Sequence, residues 1–392
     1  MHHKRSGDHD AVPRGELAEA VTALYSVTGG MHFYDALVDD RPVQTSVLTQ
    51  DSWLDLALPL GGESERFTVD YETSLPPAQL SAEQANAAVE RIAEIVAGGA
   101  RVFNAQLYAL LDLSVQPDGM SGSFGLTEFL PYALTTDLLE DELSRTVAKK
   151  PRDFGRHQLP LRTAELPTVD AALDFRSRAC VGGALALVAI ARPAGRGGRP
   201  ADYLLLVQER STQVVNGTRR LSVVPKAFHQ PLGDYSEDAA ISATLEREFE
   251  EELLGRPELE VIASGSFVDP RHHGRLSPPM RQLTDGPADS WTAECTGIGV
   301  NLASGNYEFA GLIAIHDEQW WNHYGGDLRG NWEADGVRRY SSQNHDGIAR
   351  LIMDDRWSNE GLFAFLQGLR RLAEIAPDRV TAPIIAKGPH IT

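Results

Sequence analysis

The sequence is poor in cysteine, with only Cys180 and Cys295 among its 392 residues. Two cysteines cannot build a disulfide framework or a cysteine zinc site, and their small or apolar neighbours predict two buried free thiols. Apolar runs are also short. None approaches the roughly 18 residues of a transmembrane helix, and the polar start of the chain lacks the apolar segment of a signal peptide. We therefore expect a protein of the reducing cytoplasm.

Positive charge is scarce as well. The chain has 36 lysines and arginines against 55 aspartates and glutamates, which gives a net charge of −19 at pH 7. A nucleic-acid-binding protein needs a basic face to neutralise phosphates, and an anionic membrane attracts basic segments. The composition therefore predicts that neither nucleic acid nor a membrane is a partner.

The length of the chain indicates about two domains. Residues 1–14 are charged and rich in histidine, which is typical of a disordered tail. Residues 15–150 mix helical and strand-like patterns and predict a smaller α+β accessory domain, ending at the basic, proline-marked stretch 149–157. Within this domain the spacing of apolar residues predicts a helix over 102–113, and the glycine-rich segment 119–125 predicts a surface turn.

The second half of the chain, at 160–385, is richer in strands. Apolar runs bounded by turn residues predict strands at 181–192, 203–210, 219–228, 259–269, 294–302 and 307–317. A helix is predicted over 358–376, with Ser358 as its N-cap and Pro377 as its stop. The fold class expected for the chain is therefore α+β.

An acidic helix is predicted within this second half. Glu248, Glu251 and Glu252 are spaced i, i+3 and i+4, so a helix places their carboxylates on one face. Leu245, Phe249 and Leu253, at i, i+4 and i+8, form an apolar stripe that can hold such a helix against a core. Crowded carboxylates repel one another unless a cation lies between them, and oxygen ligands suit a hard divalent metal. The alternative is a solvated acidic helix.

The segment around these glutamates resembles the Nudix box, Gly-x5-Glu-x7-Arg-Glu-U-x-Glu-Glu-x-Gly-U, where U is aliphatic or aromatic. Gly233 stands at the first position, and residues 247–252 fill Arg-Glu-U-x-Glu-Glu without a gap. Three positions depart from the family, and one of them is Leu232, which stands where the first of two glycines is usual. Ala239 replaces the first glutamate of the box, and its closing glycine comes one residue late, as Gly255. A second register, in which residues 225–227 take the part of the proline and glycines before the box, stays open.

The resemblance implies a fold and an activity. The fold would be an α-β-α sandwich with a Nudix-like mixed sheet over 160–385, preceded by the accessory domain. The activity would be the metal-dependent hydrolysis of a nucleoside diphosphate linked to another group, with Mg²⁺ or Mn²⁺ as cofactor. The expected partner is a small diphosphate or nucleotide, and a homodimer is compatible with these features.

Residue roles follow from the resemblance by position. Glu248, Glu251 and Glu252 would be the metal ligands, and Glu251 and Glu252 would serve catalysis together with Arg247. The arginine would hold a neighbouring glutamate by a charge-assisted hydrogen bond. Gly233 would let the backbone approach the bound metal and cofactor.

Three questions about the chemistry stay open in the sequence. His229, just ahead of the box, is a candidate contact for phosphate, and the alternative is a hydrogen-bonded loop histidine. Ala239 cannot bind metal or take a proton, so a second hypothesis is a Nudix-fold protein that binds a ligand or partner with little or no hydrolysis. A general base from outside the box has four acidic candidates at strand ends or in loops, Asp269, Glu294, Glu308 and Asp317.

Overall fold

The computed structural model describes residues 12–73, 75, 82–97, 104–195, 197–211, 219–256, 273–328, 330 and 334–388. Most of the predicted tail at 1–14 and all of the predicted strand at 259–269 lie outside these residues.

Helices are found throughout the described residues. They are α1 (Arg14–Leu24), α2 (Ala82–Ala97), α3 (Phe129–Ala133), α4 (Leu138–Ala148), α5 (Pro160–Glu165), α6 (Val169–Leu173), α7 (Ile241–Leu253), α8 (Pro278–Asp285), α9 (Glu318–Tyr324), α10 (His345–Ile352) and α11 (Asn359–Ile375). The predicted acidic helix is α7, and the predicted C-terminal helix is α11. Ser358 is the N-cap of α11, as predicted, because its side chain accepts a hydrogen bond from the backbone N–H of Gly361.

Strands alternate with these helices along the chain. They are β1 (Met31–Val38), β2 (Arg41–Gln50), β3 (Leu58–Pro59), β4 (Glu65–Val69), β5 (Gln106–Gln116), β6 (Gly119–Glu128), β7 (Gly182–Arg192), β8 (Asp202–Arg210), β9 (Leu221–Val223), β10 (Lys226–Phe228), β11 (Trp291–Asn301), β12 (Asn306–Ile315), β13 (Ala334–Ser341) and β14 (Ile385–Lys387). The protein is therefore of the α+β class.

Among the described residues, the larger of two sheets has the strand order β13-β8-β7-β12-β11-β2-β1-β14. It is mixed, because β12 runs parallel to β7 while the other pairs are antiparallel. The short strands β10, β3 and β9 pair with β7, β11 and β8. The smaller sheet has the order β4-β6-β5. Strands β1 and β2, from the predicted accessory region, thus share one sheet with strands that follow residue 160.

Two apolar clusters cover opposite faces of the large sheet. Alternate residues of β7 point to opposite faces, as the pleat of a strand requires. Ala184, Ala186 and Val188 join the cluster that contains the apolar face of α7. Leu185 and Leu187 join the cluster that contains α11. Helices α7 and α11 therefore lie on opposite sides of this part of the sheet.

The sequence prediction of a helix over 102–113 is wrong, because this segment contributes to β5. Residues 107–111 are all buried, so the strand is covered on both faces and lacks the alternation that identifies a half-exposed strand. The predicted turn at 119–125 is also wrong, since it lies in β6. At Gly122 a Cβ would stand 2.3 Å from the carbonyl oxygen of Asp112, so glycine permits the close approach of β5.

One prediction about the interior is confirmed. Cys180 and Cys295 are buried free thiols. Within the described residues, no helix is long and apolar enough to cross a membrane.

Candidate functional site

The helix α7 is anchored by the apolar stripe that its sequence predicts. Leu245, Phe249 and Leu253 are each at most 2% exposed and pack into the core beneath the sheet. The helix ends at Leu253, and Gly255, two residues further on, has a φ of +71°, in the left-handed region that favours glycine. The glycine that comes one residue late relative to the Nudix pattern is therefore the residue that stops the helix.

The carboxylates of the box are buried rather than solvated. Glu248 and Glu251 are 7% exposed and Glu252 is 1% exposed. Arg247 donates from Nε and Nη2 to Oε1 of Glu248, at 3.2 and 2.9 Å, which is the type of contact that the resemblance implies. The alternative of a solvated acidic helix is therefore wrong.

Two glutamates of α7, the predicted ligand Glu252 and Glu250 at the variable position of the box, accept hydrogen bonds from the backbone of neighbouring segments. Oε1 of Glu252 accepts from the N–H of Lys226 on β10, at 2.8 Å. Oε1 of Glu250 accepts from the N–H of Ser277, the N-cap of α8, at 2.7 Å. Buried N–H groups need such acceptors, so these carboxylates hold α7 to its surroundings.

The arrangement of these side chains does not fit a metal ion. Across the residues that the structure describes, no three histidine, cysteine, aspartate or glutamate side chains lie together as a metal site would require. One oxygen of Glu248 is bound by Arg247, and one oxygen of Glu252 is bound by the backbone of β10. Hard divalent cations need several oxygen ligands converging on one point. The predicted ligands Glu248, Glu251 and Glu252 are thus adjacent on α7 without forming such a centre.

The turn before the helix is closed by Asp238. Its Oδ2 accepts hydrogen bonds from the N–H groups of Leu232 and Gly233, at 2.9 and 2.7 Å. The backbone of Gly233 is therefore bound by a carboxylate of its own loop, and the predicted approach of Gly233 to a metal would need this turn to open.

His229 is completely buried between the aromatic rings of Tyr108, Phe124 and Tyr307. Its Nε2 lies 3.2 Å from the carbonyl oxygen of Asp238, which can only accept, so Nε2 carries the hydrogen. Nδ1 then accepts from the hydroxyl of Tyr307. Burial lowers the pKa of His229 to about 3, consistent with a neutral ring. Both ring nitrogens are used within the protein, as in a hydrogen-bonded loop histidine.

The start of α7 is capped by a residue that the sequence did not single out. Oε1 of Glu65, on β4, accepts hydrogen bonds from the N–H groups of Ile241 and Ser242, at 2.7 and 3.2 Å. Neither Ala239 nor Ala240 offers a capping side chain, and the N-cap Ala240 makes no such bond. A carboxylate distant in sequence therefore serves the positively polarised end of this helix.

A pocket that is open to solvent lies beside β10 on the α11 side of the sheet. Its walls come from the first residues of β7 and β12, from β10, from the ends of β8 and β11, and from α4 and the start of α11. The charged residues that line it are Glu140, Arg210, Lys226, Glu308 and Glu360.

A glycine brings the strands that form the floor of this pocket close together. Gly183 is paired with Glu308 on one side and with Phe228 on the other. A Cβ on Gly183 would stand 2.1 Å from the carbonyl oxygen of Ala227, a distance that no real side chain tolerates. A larger residue here would push β10 away and open the pocket wall.

Lys226 connects the pocket to the acidic helix. Its backbone N–H is held by Glu252 on one side of the sheet, and its ammonium forms an ion pair with Glu360 of α11 on the other. The second oxygen of Glu360 accepts from Nδ2 of Asn301 at 3.0 Å. Although burial opposes ionisation, Lys226 lowers the pKa of Glu360 below its ordinary value.

The other two glutamates of the pocket behave differently. Burial, reinforced by the nearby Glu360 carboxylate, raises the pKa of Glu140 to about 7. Burial and the same neighbour raise the pKa of Glu308 well above its ordinary range. A lined pocket with perturbed carboxylates is the type of place where ligands bind.

The four candidate general bases, which the sequence could not rank, differ in their position relative to the pocket. Glu308 lies in it, whereas Glu294 is bound by Arg371 and Asp317 caps α9. Asp269 lies outside the described residues. Glu140 and Glu360 were missed, because each sits in an ordinary amphipathic helix with no motif around it.

No protein-family model matches the sequence, and comparison with curated proteins finds no relative. The resemblance to the Nudix box thus stands on the residues at 233–255 alone.

Proposed function

We propose that the protein binds a small molecule in the pocket beside β10, on a Nudix-like scaffold with little or no hydrolase activity. The observation that carries the proposal is that two carboxylates of α7, the predicted ligand Glu252 and the neighbouring Glu250, accept hydrogen bonds from the protein's own backbone, at Lys226 and Ser277. Catalysis needs carboxylates that converge on a metal or a reacting atom, whereas these hold the helix in place.

Support for the Nudix-like scaffold comes from the packing. The mixed sheet carries α7 on one face and α11 on the other, which is the layer order of an α-β-α sandwich. The strand β10 lies directly before the box, at residues 226–228, and forms one wall of the pocket. A ligand there would contact Lys226, whose backbone α7 holds.

A metal-dependent hydrolase is the second candidate, because the contact from Arg247 to Glu248 matches the arrangement that the resemblance implies. Its substrate would be a diphosphate-linked nucleotide and its cofactor Mg²⁺ or Mn²⁺. The carboxylate excess of the pocket disfavours an anionic ligand at that place, so such a substrate would bind elsewhere.

The decisive experiment incubates the protein with nucleoside diphosphate sugars, dinucleotides and nucleoside triphosphates in the presence of Mg²⁺ or Mn²⁺. Wild type is compared with Glu251→Gln and Glu252→Gln. We expect no turnover above the background of the variants. Metal-dependent turnover by wild type that either substitution abolishes would establish the hydrolase and overturn the binding role.

The binding role is tested by thermal unfolding with the same compounds and with small amines, because a ligand that binds only the folded state raises the midpoint. The pocket variant is Glu308→Gln, and Glu63→Gln, at an exposed position, is the matched control. We expect at least one compound to stabilise wild type and the control more than Glu308→Gln. Equal shifts in all three proteins, or none, would count against the pocket.

A further inference from the structure

Glu308 is a buried carboxylate that faces the pocket without a hydrogen bond. The residue is 5% exposed and lines the pocket. None of the described residues donates a hydrogen bond to its side chain. Burying a carboxylate costs free energy unless donors or an opposite charge satisfy it, so this side chain is incomplete as it stands.

A second acceptor stands beside it. Asn306 lies two residues before Glu308 on β12, so both side chains point to the same face of the strand. Its Nδ2 donates to the hydroxyl of Tyr132 at 3.1 Å, which fixes the orientation of the amide. Oδ1 is buried in the pocket wall, and no described residue donates to it. The two orphaned acceptors together call for a donor-rich ligand.

Around this part of the pocket, carboxyl groups outnumber the cationic side chains. Lys226 is engaged by Glu360, the most strongly ionised of the three glutamates. Glu140 faces Asp137 and Glu360 as well as Arg220 and Lys226, and Glu308 faces Glu140, Glu360 and Lys226. Arg210 and the Tyr132 ring complete the surroundings. In this setting the pKa values of Glu140 and Glu308 are raised, and a cationic ligand nearby would favour their ionised forms.

A single metal ion does not meet this need. Among the residues that the structure describes, no three acidic, histidine or cysteine side chains converge closely enough to hold one. The acceptors are spread along a wall, and the partly exposed ring of Phe228 adds an apolar surface. A cation with several N–H donors and a carbon body fits such a wall better than a point charge.

We propose that the pocket binds a small organic cation, a protonated amine or guanidinium, whose N–H groups donate to Glu308 and to Oδ1 of Asn306. Its positive charge offsets Glu140 and Glu308, and its carbon body lies against Phe228. This inference rests on the proposed binding function and names the class of ligand. No bond is formed or broken.

The test uses ethanolamine, 1,4-diaminobutane and methylguanidinium as probes, each at about 10 mM and constant ionic strength, a concentration that reveals weak sites. Ethylene glycol and 1,4-butanediol are matched neutral controls for the first two. We expect the cations, and not the diols, to raise the midpoint of thermal unfolding. Calorimetric titration of the best probe in two buffers of different ionisation enthalpy should show proton release at pH 7, and affinity should rise from pH 6 to pH 8.

Two pocket variants and one control locate the binding. Glu308→Gln keeps the shape of the side chain and should weaken the best probe about tenfold or more, because a charged acceptor is lost. Glu140→Gln is the second variant and guards against misfolding of the first, since this residue is partly exposed. Exposed Glu63→Gln removes the same charge elsewhere and should leave the affinity unchanged.

Each outcome decides the matter. Stabilisation by none of the three cations, or an affinity that both pocket variants leave intact, overturns the proposal. If a nucleotide rather than an amine gives a shift that Glu308→Gln weakens, the cation is wrong and the binding function stands. If no compound of either class gives such a shift, both fall.

Discussion

The carboxylate of Glu65 caps helix α7 by accepting a hydrogen bond from the backbone N–H of Ile241, at 2.7 Å. The two residues lie far apart in the sequence, on either side of the boundary predicted near residue 150. The other oxygen of Glu65 accepts from the N–H of Gly61 at 2.5 Å, so one side chain fixes both a loop and a helix terminus.

Replacement of Glu65 by alanine should therefore destabilise the protein. Loss of a helix cap, and of an acceptor for several N–H groups, should lower the free energy of unfolding by about 1–3 kcal/mol. Urea denaturation measures this change. Glu63→Ala, two residues away and exposed, is the control and should have an effect of less than about 0.5 kcal/mol. Equal effects of the two substitutions would mean that the cap contributes nothing.

Substitutions of Glu252 test whether its carboxylate stabilises the fold or binds a metal ion. Glutamine at this position keeps an oxygen acceptor for the N–H of Lys226, whereas alanine leaves that N–H without its acceptor. We expect Glu252→Ala to lower the free energy of unfolding by about 1–3 kcal/mol more than Glu252→Gln does. Urea denaturation with Mg²⁺, and then with EDTA, should give the same difference. A loss that is equal for both variants and depends on Mg²⁺ would instead identify Glu252 as a metal ligand.

The ion pair between Lys226 and Glu360 should behave as a buried pair. Lys226→Met leaves the carboxylate of Glu360, which is 8% exposed, without its ammonium partner. Such a loss typically costs about 3–5 kcal/mol. The double substitution Lys226→Met with Glu360→Gln should recover most of it, because the uncompensated charge is gone. A double-mutant cycle in urea measures the coupling, and strictly additive effects would contradict it.

The lowered pKa of His229 leads to a prediction of how the free energy of unfolding depends on pH. Its pKa in the folded protein is about 3, below the ordinary value of about 6.5 in an unfolded chain. Between these values the unfolded chain binds a proton that the folded protein does not, so the free energy of unfolding falls as pH falls. At pH 4.5 the loss of stability that comes from His229 reaches about 3 kcal/mol.

The His229→Gln variant isolates that contribution, because the carboxylates of the two proteins are the same. Urea denaturation from pH 7 to pH 4.5 should show a smaller loss of stability in the variant than in wild type. His157→Gln, at an exposed position, should follow wild type. Parallel curves for wild type and His229→Gln would show that the ring is protonated in the folded state.

The sequence predicted those features that depend on local pattern. The stripe of Leu245, Phe249 and Leu253 placed one face of α7, and a serine followed by an apolar repeat located the start of α11. The sequence pattern predicted the wrong secondary structure in segments whose conformation depends on tertiary contacts. Residues 107–111 carry no alternation because both faces of β5 are covered, and Gly122 marks close strand approach rather than a turn.

The pocket could not be predicted from local sequence patterns, and the reason is physical. Glu140, Glu308 and Glu360 come from a helix, a strand and another helix that the large sheet brings together. Of these three glutamates only Glu308 was a candidate general base, and the sequence could not rank it above the other three acidic candidates. The box glutamates had a clear spacing, but spacing cannot show whether a carboxylate meets a ligand or, as with Glu252, a backbone N–H.

The strand order also determines when the large sheet can be completed during synthesis of the chain. Strand β1 gains its partner β14 only through the pairing of residues 36–38 with residues 385–387, and β2 waits for residues 300 and 301 of β11. A growing chain therefore carries two early strands with unpaired edges until nearly all of it has left the ribosome. Such edges invite aggregation, so a chaperone that shields the nascent N-terminal strands should raise the yield of folded protein.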